Sequence, residues 1–150
     1  MIADYLLHFT SFTDWPELNN NAVNLCVLGA DPFHGYLENK ITQTPKNRAG
    51  LDIILSYMSL HQPLTNCNIV YIDKARDLTS KLKGNSTLLT VGNGDDFISR
   101  GGIVNFYIED KKIRVEVNIT ALRLAQLSMS SHLLKHARIT TYQQKKNNHG

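Results

Sequence analysis

The sequence predicts an α/β fold: a single-domain, three-layer, Rossmann-like arrangement with a mostly parallel central sheet, a C-terminal antiparallel hairpin and flanking helices. Two observations lead to this prediction. Short, nearly all-apolar segments, typical of strands that are covered on both faces, alternate with segments of helical periodicity. Two strand-like segments joined by a charged turn, within residues 103–117, then precede a last amphipathic segment.

The composition is that of one ordinary globular domain. The chain has 150 residues, of which 42% are hydrophobic, and this length is sufficient to bury a core without metals. No apolar segment is long enough to span a membrane, so we expect a soluble protein. A formal net charge of +3 does not indicate a nucleic-acid-binding protein. We predict one domain over residues 1–142 and a polar, disordered tail over residues 143–150.

Three elements are predicted in the N-terminal third of the chain. The apolar side chains that recur there at helical spacing are Tyr5, Leu6, Phe9 and Phe12. They predict an amphipathic helix over residues 3–14, which the following Trp-Pro pair ends because the residue before a proline avoids the helical conformation. Residues 23–28 are predicted to form a buried strand. Asp31 can cap a second helix over residues 32–40, with Pro32 at its first position.

The middle of the chain is predicted to contribute three further strands and a helix. The strand candidates are residues 51–58, 68–72 and 88–91. The helix is predicted over residues 73–83, between the last two of these strands. Gly84 fits its C-terminal end, where glycine is favoured.

The C-terminal third is predicted to form a hairpin covered by a helix. Residues 113–117 alternate apolar and charged side chains, which is the period of a half-buried strand. The turn that joins this strand to residues 103–108 lacks glycine, so a four-residue type I connection is favoured over a tight primed turn. Residues 120–137 have helical periodicity and can cover the apolar face of the hairpin, with a kink or break near residues 128–131.

The polar loop after the fourth strand is a candidate ligand loop and consists of Gly92, Asn93, Gly94 and Asp95. The third glycine of the dinucleotide fingerprint is missing, because that position is Phe97, and the lysine of a phosphate loop is missing too. A tight turn that uses glycine for positive φ is the preferred interpretation. A metabolite pocket formed with residues 29–32 is the alternative. Asp95 and Asp96 are better explained as acids at a helix start than as catalytic groups.

No arrangement of residues in the sequence favours catalysis or a metal site. His132 and His136 are four apart on the last predicted helix, but a zinc site would need further ligands and no HExxH is present. The Gly-x-Ser-x-Gly motif of a nucleophile elbow is absent. We therefore predict no catalytic residues, no cofactor and no metal.

The two cysteines allow two interpretations. Cys26 lies inside the first predicted strand and Cys67 at the start of the third. Two buried free thiols and a disulfide are both compatible with this placement. A disulfide requires Cα atoms within about 7 Å, so the first and third strands would be neighbours, in an order such as 2-1-3-4. Its loop of about 40 residues would contribute on the order of 4 kcal/mol to stability.

Five blocks of the sequence, in this order and spacing, carry a resemblance to a known family. They are YLLHF with Trp-Pro within residues 5–16, LCVLGADPF at residues 25–33, CNIVYI at residues 67–72, LTVG with Phe97 and RGGIVNF within residues 89–106, and RVEVN with LSMSSHLL within residues 114–134. Together they resemble the YfiR family, small exported bacterial proteins named for the periplasmic repressor of a membrane-bound diguanylate cyclase.

The resemblance implies a single α/β domain that has no catalytic activity and is exported to the periplasm, its signal peptide having been removed. In that oxidising compartment Cys26 and Cys67 would form a disulfide. Family members bind the periplasmic sensor domain of an inner-membrane diguanylate cyclase and repress it, which lowers cyclic di-GMP and affects biofilm formation. They also form homodimers, and an outer-membrane lipoprotein can sequester them. A second cysteine pair that members often carry is missing here.

The resemblance does not specify which residues contact the cyclase, so two apolar surfaces are candidates on physical grounds, since exposed aromatic side chains favour protein contacts. The candidate residues are Phe33, Tyr36 and Leu37 after the first strand, and Phe106 and Tyr107 on the hairpin. The alternative is that most of these side chains belong to the core. The alternative function is a small-metabolite-binding periplasmic sensor module.

Overall fold

A computed structural model describes residues 2–59, 61–73 and 87–141. Its helices are α1 (Ile2–Phe12), α2 (Tyr36–Gln43), α3 (Ile119–Leu124) and α4 (Ser131–Leu134), with a 3₁₀ helix at Asn19–Asn21. Its strands are β1 (Thr13–Asp14), β2 (Ala22–Leu28), β3 (Asp52–Met58), β4 (Ile69–Ile72), β5 (Leu89–Gly92), β6 (Val104–Glu109), β7 (Lys112–Asn118), β8 (Ser128–Met129) and β9 (Arg138–Thr140). The predicted helix over residues 73–83, apart from its first residue, and the predicted tail lie outside the described residues.

The main sheet has seven strands in the order β3-β2-β4-β5-β6-β7-β9. The first five of these are mutually parallel, β7 runs antiparallel to β6, and β9 pairs in parallel with β7. This arrangement confirms the predicted α/β fold, with its mostly parallel sheet and C-terminal antiparallel hairpin. It also places the predicted strands in the order 2-1-3-4.

Alternate residues of the central strands fill two separate cores, because successive side chains of a strand point to opposite faces. On β2, Val23, Leu25 and Val27 join the larger core beneath α1 and α2. Cys26 and Leu28, on the other face, join a smaller core that includes Leu64, Val70 and Phe97. Burial on both faces explains why these strands are nearly all apolar in sequence.

The first helix is shorter than predicted because its last two residues become a strand. α1 buries Ala3, Leu6 and Phe9 completely against the sheet, as its periodicity predicts. It ends at Phe12, and β1 then pairs with β8 in an antiparallel two-stranded sheet. This pairing with a segment more than a hundred residues away leaves no local signal in the sequence.

The predicted start of the second helix at Pro32 is wrong. Asp31 does cap a turn, since its two carboxylate oxygens accept the backbone N–H groups of Phe33 (2.8 Å) and Gly35 (2.7 Å). His34 and Gly35 then adopt positive φ, so the chain turns once more before α2 begins at Tyr36. A left-handed residue cannot continue a right-handed helix.

The predicted turn type in the hairpin is also wrong. Asp110 and Lys111 both have positive φ (52° and 63°), and Glu109 pairs directly with Lys112. Positive φ at both central residues is the geometry of a two-residue primed turn, whose twist matches that of the flanking strands. The strand pairing therefore imposes the tight turn without a glycine.

A continuous helix over residues 120–137 is not observed, although the predicted break near residues 128–131 is. α3 ends shortly before Gln126, which has a φ of 64°. The side chain of Ser130 accepts the backbone N–H of His132 and caps the short α4. The chain then adds β9 to the edge of the sheet. None of the helices in the described ranges has the length and apolar character that crossing a bilayer requires.

Candidate functional site

Cys26 and Cys67 form a disulfide that joins β2 to the start of β4, with Cα atoms 5.9 Å apart. Both residues are buried in the smaller core. β2 and β4 are neighbours in the sheet, with Cys26 opposite Val70. The structure therefore has the disulfide rather than two free thiols, and the neighbouring strands that the disulfide requires.

The three candidate contact residues after β2 have different surroundings. Leu37 is fully buried and packs in the larger core, so it cannot contact a partner in this structure. Phe33 is half-buried, with its ring centroid 5.5 Å from that of Tyr71. Tyr36 is half-buried and its hydroxyl donates to a carboxylate oxygen of Asp4 at 2.9 Å, which raises the pKa of the Tyr36 hydroxyl. Two half-buried candidates therefore remain on this surface.

The two candidate residues of the hairpin point to opposite faces of the sheet, because they are adjacent in β6. Phe106 is buried and its ring lies 5.5 Å from that of Tyr5 and 6.0 Å from that of Phe9, both on α1. Tyr107 is half-buried on the other face, and the guanidinium of Arg138 lies 4.4 Å above its ring. Only Tyr107 is therefore available to a partner.

Tyr107 belongs to a surface that we call the hairpin outer face, formed by Tyr107 and Glu109 of β6, Arg114 and Glu116 of β7, and Arg138 and Thr140 of β9. The register of the three strands brings these side chains together, because Tyr107 is opposite Arg114 and Glu116 is opposite Arg138. The hydroxyl of Thr140 donates to Glu116 at 2.6 Å, and Arg114 lies 3.7 Å from Glu109. The face thus presents an aromatic ring beneath one arginine, with a second arginine on the neighbouring strand.

The candidate ligand loop lies at the carboxyl edge of the parallel strands. Two of its polar groups form hydrogen bonds with other residues of the protein. The Asn93 amide donates to Asp73 at 2.8 Å, and the backbone N–H of Gly94 donates to the side chain of Asn105 at 3.1 Å. Asp95 is exposed. Ligands of open α/β sheets commonly bind at this edge. Binding of a ligand by this loop stays a prediction.

Neither glycine of this loop has positive φ, so the interpretation based on φ is wrong for both. Gly92 is needed for a different reason: a Cβ there would lie 2.7 Å from the ring of Phe97. The end of β5 and the residues just before β6 pack around this buried ring. The loop is therefore shaped by packing against Phe97.

Three tyrosines near the carboxyl edge have raised pKa values. Burial is the main cause for Tyr71, and the adjacent Asp73, to which its hydroxyl donates at 3.2 Å, adds to it. Burial raises the pKa of Tyr57 to about 12, with further contributions from the charges of Asp31 and Glu38. The pKa of Tyr36 is raised too, mainly by its hydrogen bond to Asp4. These phenols therefore stay neutral hydrogen-bond donors at physiological pH.

Asp96, next to the loop residue Asp95, forms an ion pair at the surface. The guanidinium of Arg100, four residues further along the chain, donates to its carboxylate at 2.6 Å, and this hydrogen bond lowers the pKa of Asp96. An exposed ion pair of this kind is a surface feature and gives no sign of an acid or base. Across the ranges that the structure describes, no three His, Cys, Asp or Glu side chains are grouped so that they could hold a metal ion.

A cleft of about 570 Å³ that the sequence analysis did not predict lies on the outer side of α1. His8 and Phe12 of α1, Arg48 of the loop before β3, and His132 and His136 at α4 all line it. His8 and Phe12 are four residues apart on one face of α1. His132 and His136 are also four residues apart, but α4 ends at Leu134, so His136 lies just beyond it. That spacing was the one signal present, and the fold was needed to bring the two pairs together.

Comparison with known proteins gives one family. The family model described as YfiR/HmsC-like matches residues 1–138 of the chain. None of the curated proteins matches it.

Proposed function

Because the chain belongs to the YfiR/HmsC-like family, we propose that it is a periplasmic signalling protein that binds the sensor domain of an inner-membrane diguanylate cyclase and represses it. Repression would lower cyclic di-GMP and, through it, biofilm formation. The observation that supports this proposal is the match of the family model over residues 1–138, since this family is regulatory rather than catalytic.

The Cys26–Cys67 disulfide supports the periplasmic location. Disulfides form and persist in oxidising compartments such as the periplasm and are rare in the cytosol. The bridge joins two strands in the middle of the sheet and both of its sulfur atoms belong to buried residues. It therefore fits a structural role in an exported protein.

For the surface that contacts the cyclase, the hairpin outer face is the stronger candidate. Tyrosine and arginine are enriched among the residues that dominate protein interfaces. The guanidinium of Arg138 lies over the ring of Tyr107, and Arg114 is its partner on the neighbouring strand. The surface after β2 is the second candidate, with Phe33 and Tyr36 as its half-buried members.

Two further partners are proposed from the family resemblance. We propose that the protein forms a homodimer, which the mass of the native protein in solution tests. We also propose that an outer-membrane lipoprotein sequesters it, which co-purification from membrane extracts tests. The small-metabolite sensor remains the alternative function, with Gly92–Asp95 as its predicted loop, and occupancy of that loop by a metabolite would favour it.

The decisive experiment measures cyclic di-GMP in cells that produce a membrane diguanylate cyclase with a periplasmic sensor domain, with and without the exported protein. We expect the exported protein to lower cyclic di-GMP and to co-purify with the periplasmic domain of the cyclase. A cyclase that lacks its periplasmic domain is the matched control and should be insensitive. Unchanged cyclic di-GMP together with no co-purification would overturn the proposal.

A further inference from the structure

The two edge strands of the main sheet differ in how well they are protected against pairing with another strand. β9, at one end of the sheet, is three residues long and begins with the exposed Arg138. β3, at the other end, has seven residues, and its one charged side chain is that of Asp52, at its start. Proteins usually protect an edge strand by keeping it short, by placing charges or proline in it, or by covering it. β9 has two of these features, whereas most of β3 has none.

A short segment, residues 45–47, covers only the beginning of β3. The carbonyl of Pro45 accepts the backbone N–H of Ile53 at 2.9 Å. The ammonium group of Lys46 forms an ion pair with Asp52 at 2.7 Å. The pairing of this segment with β3 ends at Pro45, because proline has no N–H to donate to the carbonyl of Ile53.

Beyond Ile53, backbone groups of β3 point away from the sheet without a partner. The N–H and C=O groups of successive residues alternate between the two sides of a strand, so those of Leu55 and Tyr57 point away from β2, as the N–H of Ile53 does. Within the described ranges, no further strand, loop or side chain bonds to these groups. The next N–H on this side, that of Ser59, donates to the side chain of Gln62 at 2.6 Å. The open part of the edge therefore lies at Leu55 and Tyr57.

The side chains along this open edge are uncharged and mostly apolar. Ile54, which is 46% exposed, and the half-buried Met58 lie on one face of β3. Leu55 and Tyr57 lie on the other face, and Ser56 is at the centre of the segment. A strand that pairs here without burying a charge must itself be uncharged and apolar on both faces. β3 has this character, so the edge is complementary to itself.

We propose that two copies of the chain pair in antiparallel orientation through β3, with the twofold axis at Ser56. Leu55 of one copy is then opposite Tyr57 of the partner subunit, and each such pair exchanges both of its N–H···O bonds. Ile54 is opposite Met58 of the partner subunit, so apolar side chains meet on both faces of the joined sheet. This inference rests on the homodimer of the proposed function and deepens it, because it assigns the interface.

Pairing through two copies of the same edge also closes the assembly. It uses the open edge of each copy and leaves a β9 strand at either end of the joined sheet. Pairing of β3 with β9 of another copy would instead leave an open edge that could add further copies. The short β9 with its arginine disfavours that arrangement. The hairpin outer face, on β6, β7 and β9, lies at the other end of the sheet from β3 and stays accessible in the dimer.

Sedimentation equilibrium of the full chain measures the dimerisation constant. Ile54→Lys should weaken dimerisation by about tenfold or more, because a lysine in an edge strand opposes pairing. Ile139→Lys is the matched control, since Ile139 lies on the other edge strand, β9, and is also 46% exposed. It should leave the dimerisation constant unchanged. Circular dichroism establishes that both variants are folded.

Amide hydrogen exchange followed by NMR locates the interface. In the dimer the N–H groups of Leu55 and Tyr57 should exchange slowly, and both dilution to the monomer and Ile54→Lys should make their exchange fast. The N–H groups of Ser56 and Met58 point towards β2 and are internal controls, because they should exchange slowly in both states.

The outcomes separate this inference from the proposals on which it rests. A protein that is monomeric at every concentration overturns both the interface and the homodimer, whereas cyclic di-GMP tests repression of the cyclase separately. A dimer in which Leu55 and Tyr57 exchange rapidly, or which Ile139→Lys weakens as much as Ile54→Lys does, overturns the interface alone. Slow exchange of both groups in the monomer also rejects it, since they would then be paired within the chain. If their exchange slows only when the periplasmic domain of the cyclase is added, that domain occupies the edge instead of a second copy.

Discussion

The ring of Phe97 occupies the space that a side chain at Gly102 would need. A Cβ built on Gly102 would meet three atoms of this ring, well inside the contact distance of two carbon atoms, about 3.5 Å. The same ring lies against Gly92 at the end of β5. Phe97 is buried in the smaller core, so the loop between β5 and β6 is closed around it by two glycines.

Gly102→Ala should therefore destabilise the protein by about 1–3 kcal/mol, because the added methyl overpacks a site that has no room for it. Urea unfolding followed by circular dichroism measures this change. The double variant Gly102→Ala with Phe97→Leu should be less destabilised than the sum of the two single changes, since the smaller side chain makes room for the methyl. Asp95→Ala, in the same loop but exposed, is the control and should change stability little.

Reduction of Cys26–Cys67 should lower the free energy of unfolding by about 4 kcal/mol, from the sequence separation of 41 residues and the chain-entropy model. Intact mass after thiol alkylation, with and without reductant, first establishes the redox state of protein recovered from the periplasm. Urea unfolding of the oxidised and reduced forms then gives the difference. Equal stability of the two forms would show that the bridge does not constrain the unfolded chain.

Thr90→Val should cost about 1–3 kcal/mol, the penalty for leaving a buried donor unpaired. The hydroxyl of Thr90 accepts the backbone N–H of Ile103 at 3.0 Å, and both residues are buried. Valine has nearly the same shape but no acceptor. Thr90→Ser keeps the acceptor and is the control for shape. If valine were tolerated better than serine, the hydrogen bond would not be what holds the start of β6.

The sequence pattern was sufficient to predict the central strands β2, β4 and β5, because burial on both faces makes them nearly all apolar. It was insufficient at the C-terminus, where residues 120–137 have helical spacing but are divided by the positive φ of Gln126 and the cap at Ser130. The structure forms strand pairs there instead of a continuous helix. These pairs, β8 with β1 and β9 with β7, depend on segments distant in sequence.

The same reasoning explains what could be foreseen of the candidate sites. The Cys26–Cys67 disulfide could be foreseen, because the family resemblance supplied the compartment that spacing alone left open. Phe106 and Tyr107 were grouped together as apolar neighbours, although the period of a strand places them on opposite faces. The cleft could not be foreseen, since Arg48 has no distinguishing sequence context and reaches α1 only through the folded loop before β3.

Tyr57→Phe should leave stability at neutral pH unchanged or increased. The hydroxyl of Tyr57 is buried and, in the described part of the chain, meets the geometry of no hydrogen bond, although Asp31 lies near enough to raise its pKa, so its removal relieves a desolvated group. Urea unfolding at about pH 7 compares the two proteins. A large loss of stability in the phenylalanine variant would show that this hydroxyl has a partner that matters.

The effect of Tyr57→Phe on stability should depend on pH, because the pKa of the Tyr57 hydroxyl is raised in the folded protein. The pKa of Tyr57 is raised to about 12 in the folded protein, against about 10 in an unfolded chain, so the folded state favours the neutral phenol. Its contribution to stability is complete below about pH 10 and is lost as the pH rises through 10 towards 12. Between about pH 8 and pH 11 the parent should therefore lose more stability than Tyr57→Phe. Tyr36 and Tyr71, whose pKa values are raised too, act in the same direction in both proteins.

Tyr107→Ala should weaken binding to the periplasmic domain of the cyclase by about tenfold or more, if Tyr107 is one of the few residues that dominate the interface. The reason is that the ring is half-buried beneath Arg138 and so presents a fixed aromatic surface. Because Phe106 faces α1 instead, Phe106→Leu is the matched control from the same strand: it should lower stability and leave the affinity of the folded protein unchanged. Titration calorimetry with the purified domain measures both affinities. If Tyr107→Ala binds normally and Phe33→Ala does not, the surface after β2 is the contact instead.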